Sequence, residues 1–168
     1  MLLKEQQKII RAHQNEAPVK VTPIARDLGL PVFRVSDWGN NLSGMLKRDE
    51  SAPSGYAIYV NGTHNDRRKR FTIAHEIGHY ILHENLIKDG IVEDALLRAE
   101  GLSNAIEAQA NGFAADLLMP WHLVRNEQEK GVNSIEQLAD AFEVSRDAMS
   151  IRLLGLPYSR AIADGQTG

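Results

Sequence analysis

The chain has 168 residues, 43% of them hydrophobic and 24% charged, enough for one compact domain with its own core. Nineteen basic residues against 22 acidic ones leave a net charge of -3, which gives no general attraction to nucleic acid or to an anionic membrane. Cysteine is absent, so disulfides, a thiolate nucleophile and a thiolate zinc site are excluded, and a reducing cytoplasm fits.

Residues 2–14 place Leu2, Leu3, Ile9 and Ile10 near helical spacing and predict a helix that Pro18 ends. The first ten residues are too charged for the apolar region of a signal peptide. No stretch approaches the ~20 apolar residues of a membrane span, so an intracellular soluble protein is expected. A short helix over residues 22–28 follows, with Thr22 as cap, Pro23 in the first turn and Gly29 as stop. Residues 32–35 and 43–48 read as strands, and residues 56–60 as a clearer one closed by Asn61 and Gly62. From Asn65 or Asp66 the pattern is helical to about His83. Residues 88–102 read partly as loop, with a weak helix over 93–100. Helices are expected at Ser103–Leu118, at 121–130 stopped by Gly131, at Ile135–Phe142 and at Arg146–Leu154, the last capped by Ser145. The tail 161–168 has few anchors and should fray. A helix, a small sheet and then mostly helices make an α+β domain, taken as one unit over 1–168.

Residues 75–79 read His75-Glu76-Ile77-Gly78-His79, the HExxH pattern, inside a segment with apolar flanks Phe71, Ile73, Ala74, Ile81 and Leu82. Residues four apart lie one turn apart on the same helix face. Two imidazoles so placed can share a zinc ion at ~2.0–2.1 Å. Glu76 projects beside such a metal, where it can take a proton from water and pass it to a leaving amine. Gly78 costs the helix ~1 kcal/mol against alanine, which makes sense if another backbone passes close to it. The pattern therefore predicts a zinc-dependent metallopeptidase with Glu76 as catalytic base.

Such a site needs a third protein ligand. His83 lies eight residues from His75, ~12 Å along the helix axis, too far to share one ion, and is expected to pack or to support a ligand. Glu107 is the stronger candidate. It falls in the apolar stripe of Ile106, Ala110, Phe113, Ala114 and Leu117, where a carboxylate is costly unless paired or bound to metal. The alternative for Glu107 is a pair with one of the basic residues 67–70. Glu100 shares its face but lies beyond Gly101, and Asp116 is on the opposite face and should be solvated. Ala110, Gly112 and Ala114 are small enough to pack on Gly78, and Asn111, one turn from Glu107, can orient a ligand.

Arg67, Arg68, Lys69 and Arg70 open the active-site helix, where cations oppose the helix dipole. They are expected to form a solvated face with one arginine paired internally; gripping an acidic segment or DNA phosphates is the alternative. Residues 134–154 resemble two helices around a short turn, as in helix-turn-helix DNA readers. Only Arg146 and Arg152 supply cations to the second helix, so a pair covering the core is the expectation and DNA binding the alternative. Tyr56, Tyr59, Tyr80 and His122 are candidate oxyanion stabilisers among which the sequence does not choose.

The segments 70–83 and 107–120, together with the strand at 56–61 and the stretch 144–153, resemble the ImmA/IrrE family of zincin-like metallopeptidases over roughly residues 20–155. The resemblance implies one zinc ion held by His75, His79 and Glu107, with Glu76 catalytic. It implies a zincin-like fold, with a small mostly antiparallel sheet beside the HExxH helix and helices at the C-terminal end. It further implies a protein substrate, a helix-turn-helix repressor or an antitoxin. A metal-binding toxin or interaction module with little proteolysis is the other reading that the family suggests.

Overall fold

The structure is a computed structural model, described here over residues 3–40, 42–87, 91–92 and 103–156. In chain order the elements are α1 (Lys4–Ala12), α2 (Val21–Asp27), β1 (Val32–Val35), β2 (Gly44–Arg48), β3 (Tyr56–Asn61), α3 (Asp66–His83) and a 3-10 turn (Glu84–Leu86). Then come β4 (Ile91–Val92), α4 (Ser103–Leu118), α5 (Trp121–Glu129), α6 (Ile135–Phe142) and α7 (Arg146–Leu154). The strands lie in the order β1-β3-β2-β4. β1 runs parallel to β3, whereas β2 is antiparallel to both β3 and β4, so the sheet is small and mostly antiparallel.

The longest helix starts where its sequence provides a cap. The Asn65 side chain accepts a hydrogen bond from the Arg68 N–H at 2.9 Å, satisfying one of the four orphan donors of the first turn. Just upstream, Asn61 at the end of β3 donates to the carbonyls of Gly39 and Leu42 and accepts from Thr63. One buried amide thus ties the loop before β2 to the turn that launches α3. Residues 71–79 of α3 are all buried, because β2 and β3 cover one side and α4 the other. A helix apolar on one stripe would not need this; a helix buried all round does.

The α3–α4 contact is close at Gly78. A methyl group there would sit 3.1 Å from Phe113 Cδ1 and 3.2 Å from the Ala110 carbonyl oxygen. The expected close backbone is therefore present, and it belongs to Ala110. Gly112 takes no part, since a side chain there would meet open space.

Several boundaries differ from the sequence reading. α1 ends at Ala12 rather than at residue 14. Thr22 is not a cap: Lys20 occupies that place without a side-chain bond, and Pro23 sits third in the helix. A proline is tolerated there because first-turn N–H groups have no intrahelical partner. The strand β4 lies where loop was expected; two residues carry no periodicity to read. The weak helix weighed over 93–100, Glu100 with it, and the frayed tail 161–168 lie outside the described residues.

The basic run is not a solvated face with a single internal pair. Arg67 donates to the Val144 carbonyl at 3.0 Å and pairs with Asp140. Arg70 reaches the carbonyls of Val19, Phe142 and Glu143. Arg68 donates to Ser43 Oγ, and Lys69 pairs with Asp66. The carbonyls at the end of α6 would otherwise be unsatisfied, and guanidinium groups reach several at once. The helix α6 opens on a Ser134 cap and ends at Glu143 in the left-handed region at φ 52, while Ser145 caps α7. Leu138, Phe142, Val144, Ala148 and Met149 of this pair are buried in the core. Its cations are committed as well: Arg146 pairs with Glu136, and Arg152 binds the Met119 carbonyl and Asp116 while lying 4.6 Å over the Trp121 ring.

Candidate active site

Two helices bring three donors to one point. His75 and His79 lie one turn apart on α3, and Glu107 lies in the first turns of α4. His75 Nε2 is 3.1 Å from one Glu107 oxygen, and His79 Nε2 is 2.9 Å from the other. One ligand atom from each of the three lies within 4.8 Å of the others, and all three residues are buried. Glu107, 2% exposed, pairs with the two histidines and not with the basic run.

The outer nitrogens of the two rings are also occupied. His75 Nδ1 lies 2.7 Å from Asn111 Oδ1, an acceptor, so Nδ1 carries the hydrogen and the Nε2 lone pair faces Glu107. His79 Nδ1 lies 3.0 Å from His83 Nδ1, and His83 Nε2 lies 2.8 Å from Gln109 Oε1. The amide oxygen takes the hydrogen of His83 Nε2. His83 Nδ1 must then accept, His79 Nδ1 donates, and the His79 Nε2 lone pair also points at the carboxylate. Two imidazole lone pairs and a carboxylate in a buried pocket match the donor set of a divalent transition metal and fit such an ion.

The electrostatics describe the same cluster in its protonated form. Burial disfavours a charge on His75, but the Glu107 hydrogen bond and charge, with Glu76 nearby, outweigh it and push the pKa up to about 9. Burial and the His75 charge push His79 down to about 4. Burial would raise Glu107, yet the two histidines, protonated His75 foremost, hold it well below the usual carboxylate range. One proton on His75 thus substitutes for part of the charge a metal ion would bring.

Glu76 is buried beside this cluster and faces the sheet. A methyl group on Gly44 of β2 would lie 3.2 Å from Glu76 Oε1 and 2.4 Å from Thr72 Cγ2. The tyrosine candidates pack through their rings, and the histidine candidate is hydrogen-bonded. Tyr56 and Tyr80 pair with each other at 5.7 Å, and Tyr59 packs on Phe33 at 5.4 Å. His122 bonds the Gln14 carbonyl, and Gln14 in turn caps the C-terminal end of α4, the end opposite Glu107. Asp116 is exposed, as its helix face requires. Sequence reasoning missed Gly44, Thr72 and Gln109. A glycine opening a strand and a glutamine two residues past Glu107 carry no signal until the packing partners are known. Among the described residues no helix is long and apolar enough to cross a membrane.

Residues 25–154 match the family described as the IrrE N-terminal-like domain. The chain is 28% identical over 113 residues to metallopeptidase ImmA of Bacillus subtilis, an alignment spanning 67% of this chain and 60% of that protein. It is 36% identical over 98 residues to the radiation response metalloprotease IrrE of Deinococcus radiodurans, spanning 55% of this chain and 29% of that protein. The matches thus span little more than half of one relative and under a third of the other. A Mycobacterium tuberculosis transcriptional regulator superposes with a TM-score of 0.58 at 18% identity, covering 95% of this chain and 59% of that one, a likeness of fold alone.

Proposed function

The chain belongs to the family of the IrrE N-terminal-like domain, a family of zincin-like fold, and on that premise we propose that it is a zinc-dependent metallo-endopeptidase. In this reading His75, His79 and Glu107 hold the zinc ion and Glu76 is the general base. One observation carries it: both imidazole Nε2 lone pairs and the Glu107 carboxylate converge on a buried point while the opposite ring nitrogens are tied to Asn111 and His83. An ordinary buried ion pair needs one such partner. A metal site needs all of them held in place.

Zinc, when bound, supplies a Lewis acid that polarises the scissile carbonyl and acidifies water. The residues supply the rest. Glu76 takes a proton from the attacking water and delivers it to the departing amine, so one carboxylate serves as base and then as acid. Its burial beside Gly44 keeps bulk water from competing for that proton. Gly44 opens β2, and among the described residues β4 pairs with β2 at Leu46 and Lys47. A substrate strand laid along the start of β2 would add to the sheet and pass in front of Glu76. The family points to a regulatory protein as substrate, a DNA-binding repressor or an antitoxin, cut in the cytoplasm.

The test is metal content by elemental mass spectrometry beside cleavage of a purified helix-turn-helix repressor. We expect about one zinc per chain in wild type and Glu76→Gln, and loss of zinc in Glu107→Ala. Cleavage should occur only in wild type. Zinc without cleavage would replace the peptidase reading by a metal-binding interaction module, and no zinc even after its addition would remove both.

A further inference from the structure

His79 is held from two sides, and the two sides ask opposite things of it. On one side its Nε2 lies 2.9 Å from Glu107 Oε1, the distance of a hydrogen bond. An ionised carboxylate only accepts, so without a metal ion that contact needs a hydrogen on Nε2. On the other side His79 Nδ1 lies 3.0 Å from His83 Nδ1, and His83 Nε2 lies 2.8 Å from Gln109 Oε1. Followed inward from the Gln109 oxygen, each ring donates outward and His79 Nε2 is left bare. A neutral imidazole has one ring hydrogen and cannot meet both demands. A third hydrogen on the pair would meet them, but it would put a cation on rings that are 2% and 3% exposed.

The outer end of this chain differs from the rest. His79 and His83 are buried, whereas Gln109 is exposed. The oxygen and the NH2 of a primary amide have nearly the same shape, so a half-turn of the group exchanges acceptor for donor at the same distance. Water meets the group turned away from His83 in either orientation, so the half-turn costs little. A carboxylate or an ammonium at this position could play only one of the two parts.

We propose that the His79–His83–Gln109 chain reverses direction when metal is bound, and that the Gln109 amide turns to follow it. Gln109 is thus a positioning residue that acts through His83 on the choice of His79 nitrogen facing Glu107. The inference rests on His75, His79 and Glu107 being the metal ligands. In the metal-free chain His79 Nε2 donates to Glu107, His83 Nδ1 donates to His79 Nδ1, and the Gln109 NH2 donates to His83 Nε2. On loading, the His79 Nε2 proton leaves to water and the proton between the rings passes from His83 Nδ1 to His79 Nδ1. His83 Nε2 takes up a proton from water at the exposed end and donates it to the Gln109 oxygen. The pair holds two protons before and after, and the Nε2 lone pair is released for the metal. Neither direction leaves a ring nitrogen of His79 or His83 unsatisfied.

Nitrogen-15 NMR of the histidine rings in the full chain, chelated and then loaded with zinc at neutral pH, reads the tautomers directly. His79 should carry its hydrogen on Nε2 in the chelated chain and on Nδ1 in the loaded one, and His83 should change in the opposite sense. Chelator competition on surface variants tests the amide. Gln109→Lys, a donor only, favours the metal-free direction and should weaken zinc binding about 10–100-fold. Gln109→Leu serves neither direction and should leave the affinity nearly unchanged. So should Ala105→Lys, which puts the same charge at an exposed position one turn away. One His79 tautomer in both states, an imidazolium on His79 or His83 of the chelated chain, or equal weakening by Gln109→Lys and Ala105→Lys would overturn the proposal. A chain that takes up no zinc would sink the metal site and the proposal with it. Reversal in a chain that cleaves no protein would uphold the proposal and sink the peptidase reading alone.

Discussion

Asn111 and His83 do for the two imidazoles what a scaffold alone cannot: they choose the tautomer. With Asn111 Oδ1 at 2.7 Å from His75 Nδ1, the ring has one orientation in which Nε2 keeps a free lone pair. Removing that partner in Asn111→Ala should weaken zinc binding about 10–100-fold without unfolding the chain. Competition titration against a chelator reads this directly, and unchanged affinity would reduce Asn111 to a packing residue. Gly44 is a second case in which one atom decides. In Gly44→Ala the new methyl group meets Thr72 Cγ2 at 2.4 Å. Urea unfolding should show a loss of about 1–3 kcal/mol, with Glu76 displaced. The double variant Gly44→Ala/Thr72→Ser, lacking the clashing methyl, should recover most of it. Of these residues the sequence showed the chemistry of Asn111 but not the need at Gly44, because that need is set by a helix side chain 28 positions away.

The element that carries the site is α3, and its placement depends on arginines that looked like surface charge. Arg70 binds the carbonyls of Val19, Phe142 and Glu143, so it joins α3 to the segment before α2 and to the end of α6. Arg70→Ala leaves three carbonyls short of a donor and should cost on the order of 3 kcal/mol. Arg70→Lys should not rescue it, since a single ammonium cannot fork between three acceptors. Thermal unfolding of the two variants checks this; full rescue by lysine would show that charge alone matters. The α6–α7 pair belongs to the same argument. Its turn resembles that of a DNA reader, but its buried face packs on the core and its cations, Arg146 and Arg152, already have acidic partners. Helix existence was legible from caps and periodicity at Asn65, Ser134 and Ser145, whereas the role of residues 67–70 was not. A basic run at a helix start looks the same in sequence whether it faces solvent or the carbonyls of a neighbouring helix.

For the molecule as a whole, the proposed metal centre between α3 and α4 would couple stability to metal and to pH. Without metal, His75 has a pKa of about 9 in the fold against an ordinary 6.5, so its stabilising contribution is complete below 6.5 and is lost as pH rises through 9. His79 lies at about 4, below its ordinary value, so the fold loses stability as pH falls from 6.5 toward 4. The chelator-treated chain should therefore be most stable near pH 6.5 and less so at pH 5 and at pH 8.5. Melting curves at the three values test the sign on each side. Zinc in excess should raise the melting temperature most at pH 8.5, where it replaces the proton that His75 is losing. A metal-free chain with no maximum would mean that these histidines do not carry the linkage.

By itself the sequence determined the local facts: the helix from Asn65 to His83, the four-residue spacing of His75 and His79 with Glu76 between them, and the apolar stripe in which Glu107 is out of place. These are properties of one element at a time, and periodicity, capping and the cost of a buried charge are enough to read them. Only the tertiary structure decided what meets what. It placed Ala110 against Gly78, Gln109 against His83, Gly44 against Thr72 and Glu76, and the arginines against the end of α6. Each of these depends on the register between two elements far apart in the chain, which is set by the sum of many small packing terms and leaves no mark in either segment alone.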